Sequence, residues 1–236
     1  MTDATRAWLA RLAIPGTPDE YETKQLLSLN GLAVPRGIRL GAETAAACTD
    51  PRPGFAPPYV VKVCSPQILH KTDRGGVRFS IDGPGLAAAV RDTAGRFPGY
   101  GVLVEEQVGF SGNEFIIGAF RDPAFGPAVM AGAGGILTEL YRDVAFRLVP
   151  CDQQEALRML RELKVYPVLE GFRGSHMDAQ GLAGAIARVS GVVSDLGDLF
   201  SQLDVNPIVC GSSGWTVLDA KLILHTPDTP HGSIPP

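Results

Sequence analysis

Side chains able to handle an anion are concentrated between residues 62 and 76. Lys62 lies within a short apolar run, which is typical of a buried strand that carries one inward charge. Pro66 ends that run, because proline cannot continue a central strand. Four polar side chains and a glycine pair follow: His70, Lys71, Asp73, Arg74 and Gly75-Gly76. Backbone N–H groups beside glycine can approach a phosphate closely while nearby cations neutralise it. The pattern predicts a phosphate-binding loop, and an ordinary turn between two strands is the alternative.

The elements that must hold this loop alternate between strands and helices. Apolar patterning predicts strands at 60–64, 77–81, 102–108, 114–120, 127–131, 203–209 and 215–222. Helical spacing and N-terminal caps predict helices at 17–30, 85–97, 152–163 and 178–193. In the first helix, the predicted capping box joins Thr17 to Glu20, with Pro18 at the first helical position. This order indicates an α/β protein that ends in a hairpin.

Two oxygen-bearing side chains, Asn206 and Asp219, lie on the two arms of the predicted terminal hairpin. Magnesium prefers hard oxygen ligands and takes one or two from the protein, the rest from phosphate and water. The pair therefore predicts a magnesium site. The alternative is that Asn206 caps the bend before Pro207 and that Asp219 pairs with Lys221 or an arginine.

Composition and charge exclude several classes of protein. The chain has 236 residues, enough to build a substantial core, and a net charge of −4 with scattered Lys and Arg, which argues against a nucleic-acid surface. No apolar run approaches the ~20 residues of a membrane span, and no secretory signal is visible. The cysteines form no C-x-x-C pair, so we expect reduced thiols in a cytoplasmic protein. Neither G-x-G-x-x-G nor G-x-x-x-x-G-K-[ST] occurs, which disfavours Rossmann and P-loop sites.

The loop resembles that of a known family. Ile68-Leu69-His70-Lys71-Thr72-Asp73 followed by Gly75-Gly76-Val77 is similar to the signature loop of the ATP-grasp subunit of NDP-forming acyl-CoA synthetases, which include ADP-forming acetate–CoA ligases. The resemblance extends from about residue 20 to residue 222. It includes the stretches 118–136 and 143–148, the second of which contains Arg147.

The resemblance implies an ATP-grasp fold of two α/β lobes with the nucleotide between them. It places the first lobe at 17–104, a hinge at 105–108 and the second lobe at 109–225, between a lead-in (1–16) and a loose tail (226–236). ATP or ADP and Mg²⁺ are the implied cofactors.

The resemblance also implies roles for individual residues. Lys62 and Arg147 would hold phosphate oxygens, Gly75 and Gly76 would close as a lid, and His70 would relay phosphate. The remaining implied nucleotide contacts are Lys71, Glu105, Glu106, Val108 and Glu114, and the implied metal ligands are Asn206 and Asp219. Two alternatives stay open: Glu105 and Glu106 are solvated at a strand end, and Arg147 pairs with Glu139 or Asp143.

The implied reaction is acid + ATP + CoA ⇌ acyl-CoA + ADP + phosphate, through phosphohistidine. Because the chain shows no CoA-binding segment, we expect a partner: a CoA-binding alpha-type subunit, two copies of each forming a heterotetramer. No nucleic-acid or membrane partner is expected. A stand-alone ATP-grasp carboxylate ligase and a non-catalytic nucleotide-sensing protein are the alternatives.

Overall fold

The computed structural model describes residues 1–12, 17–68, 71–135, 143–172 and 177–225. The chain forms two compact units. The smaller consists of residues 19–22 and 35–109, and the larger of residues 1–18, 23–34 and 110–236. Along the chain, the first elements are helices α1 (Asp3–Leu9) and α2 (Glu20–Leu29).

The smaller unit is a four-stranded antiparallel sheet with helices on one face. Its elements are β1 (Gly37–Leu40), α3 (Ala42–Ala46), β2 (Tyr59–Cys64), β3 (Val77–Ile81), α4 (Leu86–Arg96) and β4 (Gly101–Glu106). The strand order is β1-β4-β2-β3. Val61 and Val104 are fully buried and join the core formed with α3 and α4.

The pleat of this sheet decides where its charged side chains lie. Successive residues of a strand point to opposite faces, so Lys62 and Glu105 lie on the face away from α3 and α4. Strand pairing sets Lys62 opposite Leu103 and Glu105 opposite Val60. The two charged residues are therefore diagonal neighbours across β2 and β4, within reach of long side chains.

The larger unit contains the second antiparallel sheet. Its elements after the first two helices are β5 (Phe115–Asp122), β6 (Gly126–Ala133), β7 (Val144–Leu148), α5 (Gln153–Leu160), α6 (Tyr166–Leu169), α7 (Ala179–Leu196), β8 (Phe200–Gly211), β9 (Gly214–Val217) and β10 (Ala220–Leu224). The strands run in the order β10-β8-β5-β6-β7, and β9 pairs with the end of β8. Asp152 and Asp178 cap α5 and α7 by accepting main-chain N–H bonds, as their sequences predicted.

One face of this sheet is buried under helices. Ile117, Val129 and Val205 share a core with Leu160 of α5 and Ile186 of α7. Residues one position away in the strands, such as Asp204, therefore lie on the opposite face. The predicted terminal hairpin is confirmed, but its second arm is interrupted at residues 218–219, between β9 and β10.

Helix α2 begins two residues later than the predicted capping box. The Asp19 carboxylate accepts a hydrogen bond from the Glu22 N–H at 2.9 Å, and the Asp19 N–H donates to the Glu22 carboxylate at 3.0 Å. This reciprocal pair is the capping box, so the prediction that Thr17 and Glu20 form it was wrong. Glu20 follows the cap as the first residue of the helix.

The compact units follow other boundaries than the predicted lobes. Trp8 of the predicted lead-in, and Leu26 and Leu27 of α2, are buried in the core of the larger unit. Apolar burial thus places these early segments with the C-terminal sheet. The predicted tail, 226–236, lies outside the described residues.

Two further expectations concern surfaces and thiols. None of the helices in the described ranges is long and apolar enough to cross a membrane. All four cysteines, Cys48, Cys64, Cys151 and Cys210, are free. Burial raises the pKa of the Cys64 thiol far above its ordinary value, which keeps that thiol protonated and unreactive.

Candidate functional site

The Lys62 ammonium lies in a buried group of charges within the smaller unit. Its Nζ atom is 2.7 Å from Glu20 Oε1 and 2.8 Å from Glu105 Oε2. The second Glu20 oxygen accepts a hydrogen bond from Lys71 Nζ. Side-chain exposure is 3% for both glutamates and 8% for Lys62. The buried strand with one inward charge is therefore present as predicted, since all six residues of β2 are buried.

These four side chains, Glu20, Lys62, Lys71 and Glu105, are named here the charge cluster. Two carboxylates and two ammonium groups balance in formal charge. Buried ions are tolerated when they are paired and hydrogen-bonded. The cluster places two cations at the two ends of the predicted phosphate loop, which is what a phosphate site requires.

The glycine pair is held against strand β2. Gly76 N donates to Lys71 O at 2.7 Å, and Gly76 O accepts from Val63 N at 2.8 Å. A Cβ atom on Gly76 would lie 2.7 Å from Val63 Cγ1, and Gly75 has a φ of +67°, so both positions favour glycine. Closure of the pair as a lid stays a prediction. His70 itself lies outside the described residues.

The end of strand β4 differs from the predicted ribose contact. Glu105 is not solvated, because it is buried against Lys62. Glu106 receives hydrogen bonds from the Arg36 N–H at 2.9 Å and its Nε at 2.7 Å. Burial alone would raise the pKa of Glu106, but the bonds and charge of Arg36 lower it below the ordinary value. Val108 is half-buried after the strand ends, and a nucleotide contact from these residues stays a prediction.

Glu114 lies in the larger unit, just before β5. Its main-chain oxygen accepts a 2.7 Å hydrogen bond from Gly134 N, and its side chain is half-buried. A Cβ atom on Gly135 would lie 3.3 Å from a Glu114 carboxylate oxygen. The segment after β6 thus passes directly beside Glu114, and a contact of Glu114 with nucleotide stays a prediction.

Arg147 on β7 has two carboxylate partners. Its Nε lies 2.6 Å from Glu155 Oε1, and its Nη2 is bonded to Glu162. Both partners come from the helical segment after β7, whereas the sequence had offered Glu139 or Asp143. The Asp143 carboxylate instead accepts the N–H groups of Lys164 and Val165, each at 2.8 Å, while Glu139 lies outside the described residues.

The hydrogen bonds and charges of Glu162 and Glu155 raise the pKa of the Arg147 guanidinium. Two of its nitrogens, Nε and Nη2, are thus bonded to carboxylates of the same unit. The structure thus gives Arg147 a structural explanation, and its predicted phosphate contact stays untested.

The proposed metal ligands are adjacent in the larger unit. Asn206 N donates a 3.1 Å hydrogen bond to the Asp219 carbonyl, and Pro207 O accepts from Leu218 N at 2.9 Å. These bonds align Asn206 with Asp219 across the hairpin, so their side chains leave the same face. That face also carries Asp204, two positions before Asn206 on β8.

The electrostatic environment of Asp204 indicates whether a cation would fit beside Asn206 and Asp219. Burial and the nearby charge of Asp219 raise the pKa of Asp204, with Lys221 opposing them. Two carboxylates and an amide oxygen are hard donors whose mutual repulsion a divalent cation would relieve. The residues therefore fit magnesium held partly by protein and partly by phosphate. No cluster of three His, Cys, Asp or Glu side chains in the described segments forms an all-protein metal site.

Sequence reasoning missed two residues at these sites. Glu20 was assigned only to a helix cap, although an acidic residue beside an apolar helix face could have signalled a buried partner. Asp204 was overlooked although it stands two residues before Asn206, on the same face of a strand.

Known proteins resemble this chain over nearly its whole length. Residues 15–224 match the family model of an ATP-grasp domain. The beta subunit of ADP-forming acetate–CoA ligase I from Pyrococcus furiosus is 37% identical over 214 residues, covering 87% of this chain and 90% of the relative. The ADP-forming acetate–CoA ligase of Methanocaldococcus jannaschii is 38% identical over 220 residues, covering 87% of this chain but 30% of the relative.

A solved structure has the same fold. It is the dinucleotide forming acetyl-coenzyme A synthetase 1 of Ca. Korarchaeum cryptofilum, with a TM-score of 0.77 and 33% identity over 94% of this chain and 100% of that chain. That protein was captured with coenzyme A and Mg-AMPPCP, its phosphohistidine segment pointing towards the nucleotide binding site. The predicted ATP-grasp fold is confirmed.

Proposed function

Because this chain belongs to the ATP-grasp family and, within it, to the beta subunits of ADP-forming acetate–CoA ligases, we propose that it is the nucleotide-binding subunit of an NDP-forming acyl-CoA synthetase. The enzyme interconverts acid, ATP and CoA with acyl-CoA, ADP and phosphate. Phosphate travels between the acyl site and the nucleotide on a histidine. This subunit binds the nucleotide that donates or accepts the phosphate.

The charge cluster supports this proposal from the smaller unit. Phosphoryl transfer needs positioned cations more than covalent chemistry from the protein. Lys62 and Lys71 offer two ammonium groups, and the segment between them contains His70. A neutral imidazole can accept a phosphoryl group, and the neighbouring cations disfavour its protonation.

In the larger unit, Asn206 and Asp219 would hold Mg²⁺. The ion, when bound, neutralises charge on the phosphates during transfer. The chain's own contribution is to keep two oxygen donors on one sheet face, which the hydrogen bond from Asn206 N to the Asp219 carbonyl does. Asp204 adds a third oxygen-bearing group to that face.

The observation that carries the proposal is the charge cluster itself. A lysine on a central strand is costly to bury, yet Lys62 is retained at 6% exposure with two carboxylates beside it. An apolar side chain of similar volume would often be neutral or stabilising there. Selection for a function that uses the ammonium group explains the lysine, and phosphate binding is that function.

The names and lengths of related proteins support a partner subunit. The names of related beta subunits imply an alpha-type subunit, and the longer relatives carry a matching segment within one chain. We propose a CoA-binding partner and an assembly of two copies of each chain, with no nucleic acid or membrane involved. Four free cysteines fit a reducing, cytoplasmic location.

The test is reconstitution. The chain is expressed alone and together with the CoA-binding subunit from the same organism, and ATP formation from acetyl-CoA, ADP and phosphate is measured. We expect activity only from the pair and Mg²⁺-dependent ATP binding by the chain alone. Light scattering on the purified pair reports whether two copies of each chain assemble.

Two outcomes would contradict the proposal. Acyl-CoA synthesis by the isolated chain would indicate a stand-alone ATP-grasp ligase. Tight ATP binding, with no phosphoryl exchange in the presence of the partner, would indicate a nucleotide-sensing protein.

A further inference from the structure

Glu20 contacts both lysines of the charge cluster. It is the first residue of α2, and its side chain is 3% exposed. One carboxylate oxygen lies 2.7 Å from Lys62 Nζ, and the other accepts from Lys71 Nζ. A single carboxylate therefore joins two residues that are nine positions apart in sequence.

The residues on either side of Glu20 cap the helix. The cap of α2 is made by Asp19 and Glu22, and both of these carboxylates also pair with Arg39, at 2.5 and 3.2 Å. The neighbours of Glu20 in the first turn thus stabilise the helix while Glu20 turns to the buried lysines.

The contact extends through the backbone of the loop. Lys71 O accepts from Gly76 N, and Gly76 O accepts from Val63 N, which follows Lys62 on β2. The Lys71 side chain is tied to Glu20, and the Lys71 main chain is tied to the glycine pair. Fixing Lys71 therefore fixes the turn at residues 71–76.

The formal charges of the cluster show what the Glu20 carboxylate contributes to it. Lys62 is paired with Glu105 at 2.8 Å as well as with Glu20, and Lys71 is paired with Glu20. Neutralising Glu20 changes the formal charge of the cluster from zero to +1. An unbalanced buried cation is expected to move towards water, and Lys71 is the more exposed of the two lysines, at 13% of its side chain against 8% for Lys62.

We propose that Glu20 is a positioning residue for phosphoryl transfer: its carboxylate bridges Lys62 and Lys71 and so holds both ends of the segment that contains His70. This inference rests on the proposed function for its kinetic consequence. The dependence of the 71–76 turn on Glu20 does not rest on the proposed function. Glu20 acts through the two lysines and need not touch the nucleotide.

The first test uses the isolated chain and no assay of activity. Hydrogen exchange is followed at the Gly75 and Gly76 amides in the wild type, in Glu20→Gln and in Glu22→Gln. Glu22→Gln is the matched control, because glutamine can still serve a capping box in the same turn. We expect at least about tenfold faster exchange, a change equivalent to 1.4 kcal/mol, in Glu20→Gln alone. Equal exchange in all three proteins would overturn the proposal.

The second test uses the complex with the CoA-binding subunit, well below the melting temperature of every variant. Glu20→Gln should lower kcat at least about tenfold and leave the Kd for Mg–ATP unchanged or tighter, because a negative charge is lost. Glu20→Asp, which keeps the charge but is too short to bridge both lysines, should give an intermediate kcat. A merely structural residue would lower the melting temperature and leave kcat per folded molecule unchanged.

A double-mutant cycle separates Glu20 from Lys71. If Glu20 acts through Lys71, the double variant Glu20→Gln/Lys71→Met should be no slower than Lys71→Met. Independent, multiplying losses would overturn the proposal. If the wild-type complex itself were inactive, the proposed function would fail, while the exchange experiment would still decide the bridge.

Discussion

Lys24 Nζ donates a 2.6 Å hydrogen bond to the main-chain oxygen of Leu218, the residue before Asp219. Lys24 is 3% exposed. The bond joins helix α2 to the interruption between β9 and β10. A buried lysine thus supports the backbone of a proposed metal ligand within the larger unit.

Replacing this lysine should weaken both the fold and the metal site. In Lys24→Met the Leu218 carbonyl loses a hydrogen bond from a charged donor, and such bonds contribute about 1.5–3 kcal/mol. We expect a lower free energy of unfolding in urea and a weaker Mg²⁺-dependent affinity for ATP. Lys164→Met, at an exposed position, is the control. Unchanged stability of Lys24→Met would show that the carbonyl finds another donor.

Asp219 itself should matter for metal and little for the fold. It is half-buried and outside the strand ladder. Asp219→Ala should therefore stay folded while losing at least about tenfold in affinity for Mg–ATP, which corresponds to 1.4 kcal/mol. Isothermal titration with and without Mg²⁺ measures this loss, and Asp198→Ala, on an exposed residue, is the control. An unchanged affinity in a folded variant would exclude Asp219 as a ligand.

The elements that local patterns encode were predictable. The caps of α5 and α7 require only an Asp followed by an N–H three residues later. The hairpin at the C-terminus requires only strand alternation and a Gly-Ser-Ser-Gly turn. These features depend on neighbours in sequence, so the sequence alone contains their cause.

Partners that lie far apart in sequence were not predictable. Glu20 and Lys62 are 42 residues apart, and the local sequence does not show which distant cation Glu20 contacts. The partners of Arg147 were predicted among the acids that precede it, but helix α5 brings Glu155 to it instead. Tertiary packing determines which of several nearby carboxylates contacts a given cation. A single sequence does not show which carboxylate that is.

Arg147 offers a test of its two explanations. If the guanidinium serves Glu155 and Glu162, Arg147→Gln should lower the free energy of unfolding and leave the affinity for Mg–ATP within about twofold. If the guanidinium binds phosphate, as the resemblance implied, the affinity for Mg–ATP should fall instead. We expect the first result, because both carboxylates already occupy the guanidinium.

The same variant should have a pH signature. Hydrogen bonds from Arg147 lower the pKa of both the Glu155 and the Glu162 carboxyl groups. A lowered pKa stabilises the folded state above the ordinary carboxyl pKa, and that contribution is lost as the pH falls through the lowered value. The stability gap between wild type and Arg147→Gln should therefore be present at pH 7 and close on acidification. A gap independent of pH would show that lost packing, not charge, causes it.

His70 is the remaining prediction and concerns transfer itself. The residues on either side of the 69–70 gap in the described chain are held: Ile68 packs beside Val63 and Phe97, and Lys71 is bonded to Glu20. If His70 carries phosphate, His70→Asn should bind Mg–ATP normally and lose phosphoryl exchange between ATP and the partner subunit. The loss should fall on rate and not on affinity, because the contact matters only during transfer.

The measurement is exchange of labelled phosphate from ATP to the partner, with His225→Asn as the matched control because His225 lies at the end of β10, in the other unit. An acid-labile phosphate trapped on the wild-type chain and absent from His70→Asn would be direct support. Exchange at close to the wild-type rate in His70→Asn would mean that phosphate passes between the nucleotide and the partner subunit without His70. In that case Glu20 and the two lysines would position the nucleotide phosphates alone.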